Sequence, residues 1–416
     1  MINLKIFFLY SVIYILCIFF SIINSTNFSS NEEYIKKRNV KRSIEEINNL
    51  KYDNEILDNL LTNNRKKRNL KIKVGKHKWT SPINLYFFYP LKNYMVKKAT
   101  NILEKSTCLR FRYVNNFNHF KEGIQLVASY DCNSPLGKIF EKGWQKIDIG
   151  IECNSVGGIL QMLLRTLGVI YEHNRVDRNF YVKIFQENVH LTDKKKFRIS
   201  RTTAIDNFHL PYEYGSLMHF GMYNYSDNKL KTLIVKIPLY ENTIGQQEEL
   251  TFNDIKTLNL YYCSNICKIK IRCKNHGYQN PNNCNRCICI DGFEGDQCEY
   301  YKLLRGCGPN SMRITRRPSF LRIFGKKSCF FHLRANKVKK IKITILKMQM
   351  KSTYFLTCLP SNSIEIKYWK DKSVTGARFC HQRFPKIIIS SNNYVILHYN
   401  SNDPTNYVYM YFKDTS

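Results

Sequence analysis

Hydrophobic and polar positions divide the chain into stretches of different rhythm. Residues 6–23 are an uncharged apolar run behind Lys5 and ahead of Asn24-Ser25-Thr26. A basic flank, an apolar stretch and a polar exit predict a secretory signal peptide over 1–23. The run is long enough to serve instead as an uncleaved signal anchor. From Lys78 onward apolar residues return in alternating strand and helix periods. Val96–Ser106 reads as a helix, and Ile124–Ser129 and Lys146–Ile151 read as strands. Gly158–Leu167 reads as a helix that is apolar on nearly every face except at Gln161 and Arg165. A helix that apolar is buried, and Gly168 is placed to end it. This alternation predicts an α+β domain. Residues 300–416 instead show short alternating runs, such as Lys340–Ile345 and Tyr394–His398, which predict an all-β sandwich.

Residues 24–68 are rich in Asn, Glu, Lys and Arg and end on Arg65-Lys66-Lys67-Arg68. A tetrabasic run between a polar leader and an apolar domain start predicts a propeptide cleaved after Arg68. Cysteines sharpen the picture further. Apart from Cys17 in the signal segment there are fourteen, an even set. Behind an export signal that set predicts seven disulfides and an extracellular, secreted product rather than thiol-metal sites. Six of them crowd residues 267–298, where so short a module depends on its disulfides to fold.

The net charge is +33, and residues 300–416 hold 22 Lys and Arg against Glu365, Asp371, Asp403 and Asp414. This asymmetry points to an anionic extracellular partner, a protein or a sulfated glycan, and an exported chain has little access to nucleic acid. Lys340 and Lys342 fall on one face of a strand, because side chains alternate across it, and are the candidate anion-binding pair. Asn224, in Asn-Tyr-Ser, is the sequon available for a glycan beyond the leader. With the signal peptide removed, no stable membrane span is expected.

The chemistry concentrates in residues 158–178. The tail Gly168-x-x-x-Glu172-His173-x-Arg175-x-Asp177-Arg178 resembles the end of the astacin zinc signature, H-E-x-x-H-x-x-G-x-x-H-E-H-x-R-x-D-R. Tyr212-x-Tyr214-Gly215-Ser216-x-Met218-His219-Phe220-Gly221 resembles that family's Met-turn, with Met218 kept. Leu250–Cys263 is similar to the family's closing helix. The stretch Cys287-x-Cys289 to Cys298 resembles an EGF-like module, and residues 300–416, with Gly306-Cys307-Gly308 at the start and two successive cysteine pairs, resemble a CUB domain. The organisation resembles that of a nematode-type astacin, which implies a leader over 24–68, a peptidase domain over 69–263, an EGF-like module over 264–299 and a CUB domain over 300–416. The resemblance also implies the disulfides Cys108–Cys263, Cys132–Cys153, Cys267–Cys284, Cys273–Cys287, Cys289–Cys298, Cys307–Cys329 and Cys358–Cys380.

The residues at the family's reactive positions do not carry its chemistry. A zinc peptidase helix carries histidines at i and i+4, one turn apart on one face, with a glutamate to take a proton from metal-bound water. Zinc lowers that water's pKa from ~15.7 to roughly 7. The family's three ligand positions fall here on Gln161, Arg165 and Tyr171, its general base on Met162 and its assisting tyrosine on Phe220. Arginine has no lone pair to donate, tyrosine is neutral near pH 7, and a thioether moves no proton. The expectation is therefore an inactive homologue that binds without cleaving, with no catalytic residue and no cofactor. The alternative is an active zinc-dependent metalloendopeptidase acting on extracellular proteins. Some CUB domains hold calcium through an acidic residue, and Ser361 occupies that position here, so no calcium is expected. Arg165 is expected to pair with a carboxylate, either that of Glu172, the nearest in sequence, or that of a bound ligand, because an unpaired buried guanidinium is costly.

Overall fold

A computed structural model describes residues 72–73, 77–87, 93–200, 205–206, 208–351, 356–380 and 384–415. The signal segment, the leader and Arg68 lie outside the described residues. Among the described residues no helix is long and apolar enough to cross a membrane.

The first part of the fold is a four-stranded parallel sheet with helices against it. Its strands are β1 (Ile83–Phe87), β2 (Phe111–Tyr113), β3 (Glu122–Ala128) and β4 (Gly143–Ile149), in the order β2-β1-β3-β4. Helix α1 (Asn93–Ser106) and helix α2 (Val156–Thr166) pack on one another and share a core with the sheet that includes Leu85, Leu103, Ile124, Leu160 and Leu164. Helix α3 (Phe252–Tyr262) closes the region. Cys108–Cys263 ties the end of α3 to the end of α1, and Cys132–Cys153 ties the approach to α2 back to the sheet.

Residues 264–299 form a small unit with two short antiparallel strands, Tyr278–Asn280 and Asn283–Ile288. Three disulfides, Cys267–Cys284, Cys273–Cys287 and Cys289–Cys298, hold it. Its own buried apolar set is small and merges with Phe330 and Ile396 of the following region.

That region is two packed sheets. One orders Ser311–Arg313, Ser328–Arg334, Tyr394–Asn400, Ser363–Lys367 and Ala377–Phe379; the other orders Ser319–Phe324, Tyr407–Asp414, Ile341–Gln349 and Lys386–Ile389. The period-2 alternation explains the layers. Val408, Met410 and Phe412 face inward and are buried, whereas Tyr407, Tyr409, Tyr411 and Lys413 between them face out. Cys307–Cys329 and Cys358–Cys380 staple the sandwich.

The sandwich packs on the first region through buried polar contacts. Glu213 accepts hydrogen bonds from the backbone amide of Thr375 (3.0 Å) and from Asn253 Nδ2 (3.0 Å). The amide of Arg378 donates to Thr243 Oγ1 (2.9 Å). Tyr214 and Tyr240 meet Trp369 across the same contact.

Candidate functional site

The cleft is built on α2. Ser155 caps the helix by accepting from the Gly158 amide at 3.0 Å, the use of a serine just outside a first turn. Gly168 follows the helix at φ +102°, a backbone region that a side chain would strain. The chain then turns back through Tyr171 and Glu172 beneath Met218, whose carbonyl accepts from the Glu172 amide (2.8 Å).

Gln161 and Arg165 stand one turn apart on the cleft side of α2. The Gln161 amide nitrogen donates to the Leu217 carbonyl at 2.7 Å and so joins the helix to the turn that carries Met218. Met162 is buried and lines the cleft as part of the hydrophobic core. Arg165 donates through Nε to the Ser134 carbonyl (2.7 Å), and its guanidinium lies 5.3 Å from the centre of the Tyr171 ring. This corrects the expected pairing with Glu172. Glu172 accepts from Arg175 Nη1 (3.0 Å) and from the Glu213 amide (3.1 Å), and Arg175 also grips Asp177. A carbonyl oxygen and an aromatic face relieve Arg165 of much of the desolvation that had argued for a carboxylate.

Aromatic rings floor the cleft. Tyr171 stacks on His173 and tilts against Phe220 at 4.7 Å, and Phe220 also meets Phe197 and Tyr225. Burial raises the Tyr171 phenol far above its ordinary range, and Arg165 offsets only part of that. His219 has both ring nitrogens engaged. Its Nδ1 faces the Phe220 carbonyl (2.7 Å), which can only accept, so Nδ1 donates and Nε2 accepts from the Tyr212 hydroxyl (2.8 Å). Burial lowers this imidazole to about 4, so it is neutral near pH 7. His173 is likewise lowered by burial, then by His219 and Arg178.

Other candidate residues lie elsewhere. Asn224 is half-buried at the rim of the cleft, its Oδ1 accepting from the Gly221 amide at 2.7 Å. Ser361 lies in the sandwich and bonds Glu248 through its hydroxyl (2.8 Å) and its amide (3.1 Å). Lys342 sits on the outward face of the sandwich, opposite Ile389 on one side and Lys413 on the other, with Lys340 just before its strand.

The motif-based reading overlooked three cations of the cleft. Lys195, Lys196 and Arg198 line the same cavity as Arg165, Met162 and Tyr171. Their signal was the run Lys194-Lys195-Lys196-Phe197-Arg198, legible as charge but not as part of a site until the loop folds over α2.

Residues 71–263 match the peptidase family described as Astacin, and residues 322–408 match the CUB domain. Zinc metalloproteinase nas-34 of Caenorhabditis elegans is 29% identical over 340 residues, covering 78% of this chain and 55% of its own length. Zinc metalloproteinase nas-37 of the same nematode is 31% identical over 310 residues, covering 73% of this chain and 38% of its own. Among solved structures, high choriolytic enzyme 1, a hatching-enzyme zinc protease of Oryzias latipes (medaka fish), is 25% identical at a TM-score of 0.41. That match covers 46% of this chain and 98% of the fish protein. The chain thus spans about half or less of the length of these two nematode relatives.

These relatives correct the expectation of no cofactor: they are zinc metalloproteinases, so zinc is the cofactor that this kinship implies. The expectation rested on lost imidazoles, yet Gln161 and Tyr171 still bring an amide oxygen and a phenol to the cleft. Those side chains nevertheless do not make the usual zinc donor set, which is nitrogen, thiolate or carboxylate in a tetrahedron. Arg165 adds a fixed positive charge beside them. Among the described residues no group of three or more His, Cys, Asp and Glu is placed to hold a metal ion. No step through zinc is derived from these residues.

Proposed function

Residues 71–263 belong to the astacin family of peptidases and are joined to a CUB domain; from that premise we propose that the chain is a secreted astacin homologue that binds its partner without cleaving it. The observation carrying this reading is the pair Met162 and Phe220. Both line the cleft beside Gln161, and where peptide hydrolysis needs a group to move a proton they offer a thioether and a phenyl ring. His219 cannot substitute, because both of its nitrogens are already bonded. The test is hydrolysis of a fluorogenic peptide library by the purified chain, once loaded with zinc and once treated with a chelator. Turnover at the buffer background in both is expected; chelator-sensitive cleavage would establish the active zinc-dependent endopeptidase instead.

In the same proposal residues 1–23 direct export, 24–68 are released after Arg68, and Asn224 carries one glycan on the mature form. Residues 264–299 are the EGF-like module that follows the peptidase-like domain at 69–263 and precedes the CUB domain at 300–416.

Binding to an anionic protein or sulfated glycan is assigned to the outward face of the sandwich. Lys342 and Lys413 are direct cross-strand neighbours there, a like-charge pairing that costs free energy unless an anion joins it. Phe320 pairs with Tyr411 in the next outward row, and Arg322 and Lys347 flank Tyr409 in the row beyond it. Basic and aromatic residues alternate across the face, which suits an anionic surface with apolar patches. Retention of the full chain on immobilised heparin should fall steeply with salt, as the Debye length shrinks from ~10 Å at 0.1 M to ~3 Å at 1 M. Changing Lys340 and Lys342 together to Glu should lower the eluting salt; unchanged elution would remove this face from the proposal.

A further inference from the structure

The cleft has a charge pattern that loss of peptidase chemistry does not explain. A cavity of about 340 Å³ opens beside α2, walled by Arg165 from the helix and by Lys195, Lys196 and Arg198 from the loop over it. Among the described residues that line the cavity, none is acidic. Asp193, outside the lining, pairs with Lys196 at 2.9 Å. Three cations therefore converge on one cavity with no lining carboxylate to balance them. Lys195 and Arg198 are exposed at its mouth, and Arg165 is half-buried within. The Ser134 carbonyl holds Arg165 through Nε and the Tyr171 ring centre lies 5.3 Å from its guanidinium, and among the described residues no hydrogen bond engages its two Nη groups. A guanidinium held in this way is a preorganised fork for paired oxygens.

We infer that this cavity binds a tetrahedral oxyanion, a sulfate or phosphate ester borne on a saccharide-sized ligand. The charge count favours such an ester over an acidic side chain. One carboxylate supplies a single negative charge, whereas a phosphate ester or a disulfated sugar supplies about two, with three acceptor oxygens on each group. The aromatic rings of Tyr171, Phe220 and Tyr225 line the remaining wall and give the apolar part of a ligand a surface to lie on. The site is separate from the outward face of the sandwich, and either can fail alone.

The test is calorimetric titration of the full mature chain carrying Lys340→Glu and Lys342→Glu, so that the sandwich face does not contribute. The probes are a trisulfated heparin disaccharide, glucose 6-phosphate and triglutamate. At least one ester should bind about tenfold or more tighter than triglutamate, and the two ester arms separate a sulfated from a phosphorylated source. Arg165→Gln should weaken that ester about tenfold, and Arg165→Lys should recover part of the loss because charge returns without the fork. The exposed double change Lys195→Gln with Arg198→Gln should weaken it similarly, and decides the matter alone if the Arg165 variants fold poorly. Triglutamate binding as tightly as the esters would make the cavity an acidic-peptide site and overturn the inference. So would no measurable ester binding, or ester binding that the cation changes leave intact.

Discussion

At the scale of single residues, the turn after α2 depends on Arg175, which is fully buried. Its Nη1 meets Glu172 at 3.0 Å and its Nε meets Asp177 at 2.9 Å, and it also donates to the carbonyls of Pro211 and Leu210. Removing one member of such a cluster leaves buried charge without its partner. Arg175→Met should therefore cost on the order of 3–5 kcal/mol in urea denaturation. His219 makes a pH prediction. Its folded pKa is lowered to about 4, so between that value and the ordinary ~6.5 the unfolded chain binds the extra proton. The contribution is complete above ~6.5 and lost as pH falls toward about 4, on the order of 3 kcal/mol, readable as a falling melting temperature. That Gln161 and Arg165 share one face was legible from the chain, because a helix places i and i+4 together, whereas Met162 and Tyr171 were placed by the resemblance to the astacin signature. Arg165's partners were not legible: Ser134 is 31 residues away, and its carbonyl carries no mark in the sequence.

At the scale of elements, helices α2 and α3 are set by their first turns. Thr251 and Asp254 form a reciprocal capping box on α3, and Asp254 also accepts from the Ser216 hydroxyl (2.6 Å) and the Leu217 amide (3.2 Å). Thr251→Ala should cost about 1 kcal/mol, the usual value of one cap. Asp254→Ala should cost several times more, because it also frees the turn that holds Met218, and chemical denaturation of the two variants side by side would reveal the gap. The helix end at Gly168 was legible from its glycine. The expected start at Gly158 falls two residues late, because the helix begins at Val156 and takes in Gly157 as well as Gly158. They are needed there: a Cβ on Gly157 would approach the Gln247 carbonyl at 1.9 Å, and one on Gly158 would meet the Cys153 carbonyl at 2.4 Å. Packing against those carbonyls outweighs propensity.

At the scale of the whole molecule, the sandwich is joined to the peptidase-like region by contacts that bury charge. Besides the bonds of Glu213, Arg378 of the sandwich reaches Thr243 through its amide (2.9 Å) and Glu249 through its guanidinium (3.9 Å). Within the sandwich Glu365 steadies Arg378 by accepting from it (3.2 Å), while also accepting from the Gly376 amide (2.9 Å) and lying 3.3 Å from Lys367. Burial alone would raise this carboxyl, yet Lys367, Arg378 and the Gly376 amide hold it at about 2. Joined this way, the two regions should melt in one calorimetric transition. Glu213→Ala, which strips the acceptor from Thr375 and Asn253, should split it into two. A Cβ on Gly215 would come within 2.4 Å of the Thr375 side chain, so Gly215→Ala should have the same effect by steric means.

What the sequence determined by itself was everything carried by local spacing. The α+β and all-β rhythms, the helix with an amide and a guanidinium one turn apart, the cysteine count and the basic C-terminal quarter all follow from period, composition and side-chain chemistry. Tertiary structure decided what depends on distant segments meeting. It brought Lys195, Lys196 and Arg198 over Arg165 to make a cationic cavity, set Lys342 opposite Lys413, and seated Glu213 against the backbone of Thr375. Each of these joins residues whose partners lie about 30 to 160 positions away, and a carbonyl, a ring face or a neighbouring strand acquires its role only when the chain folds back on itself.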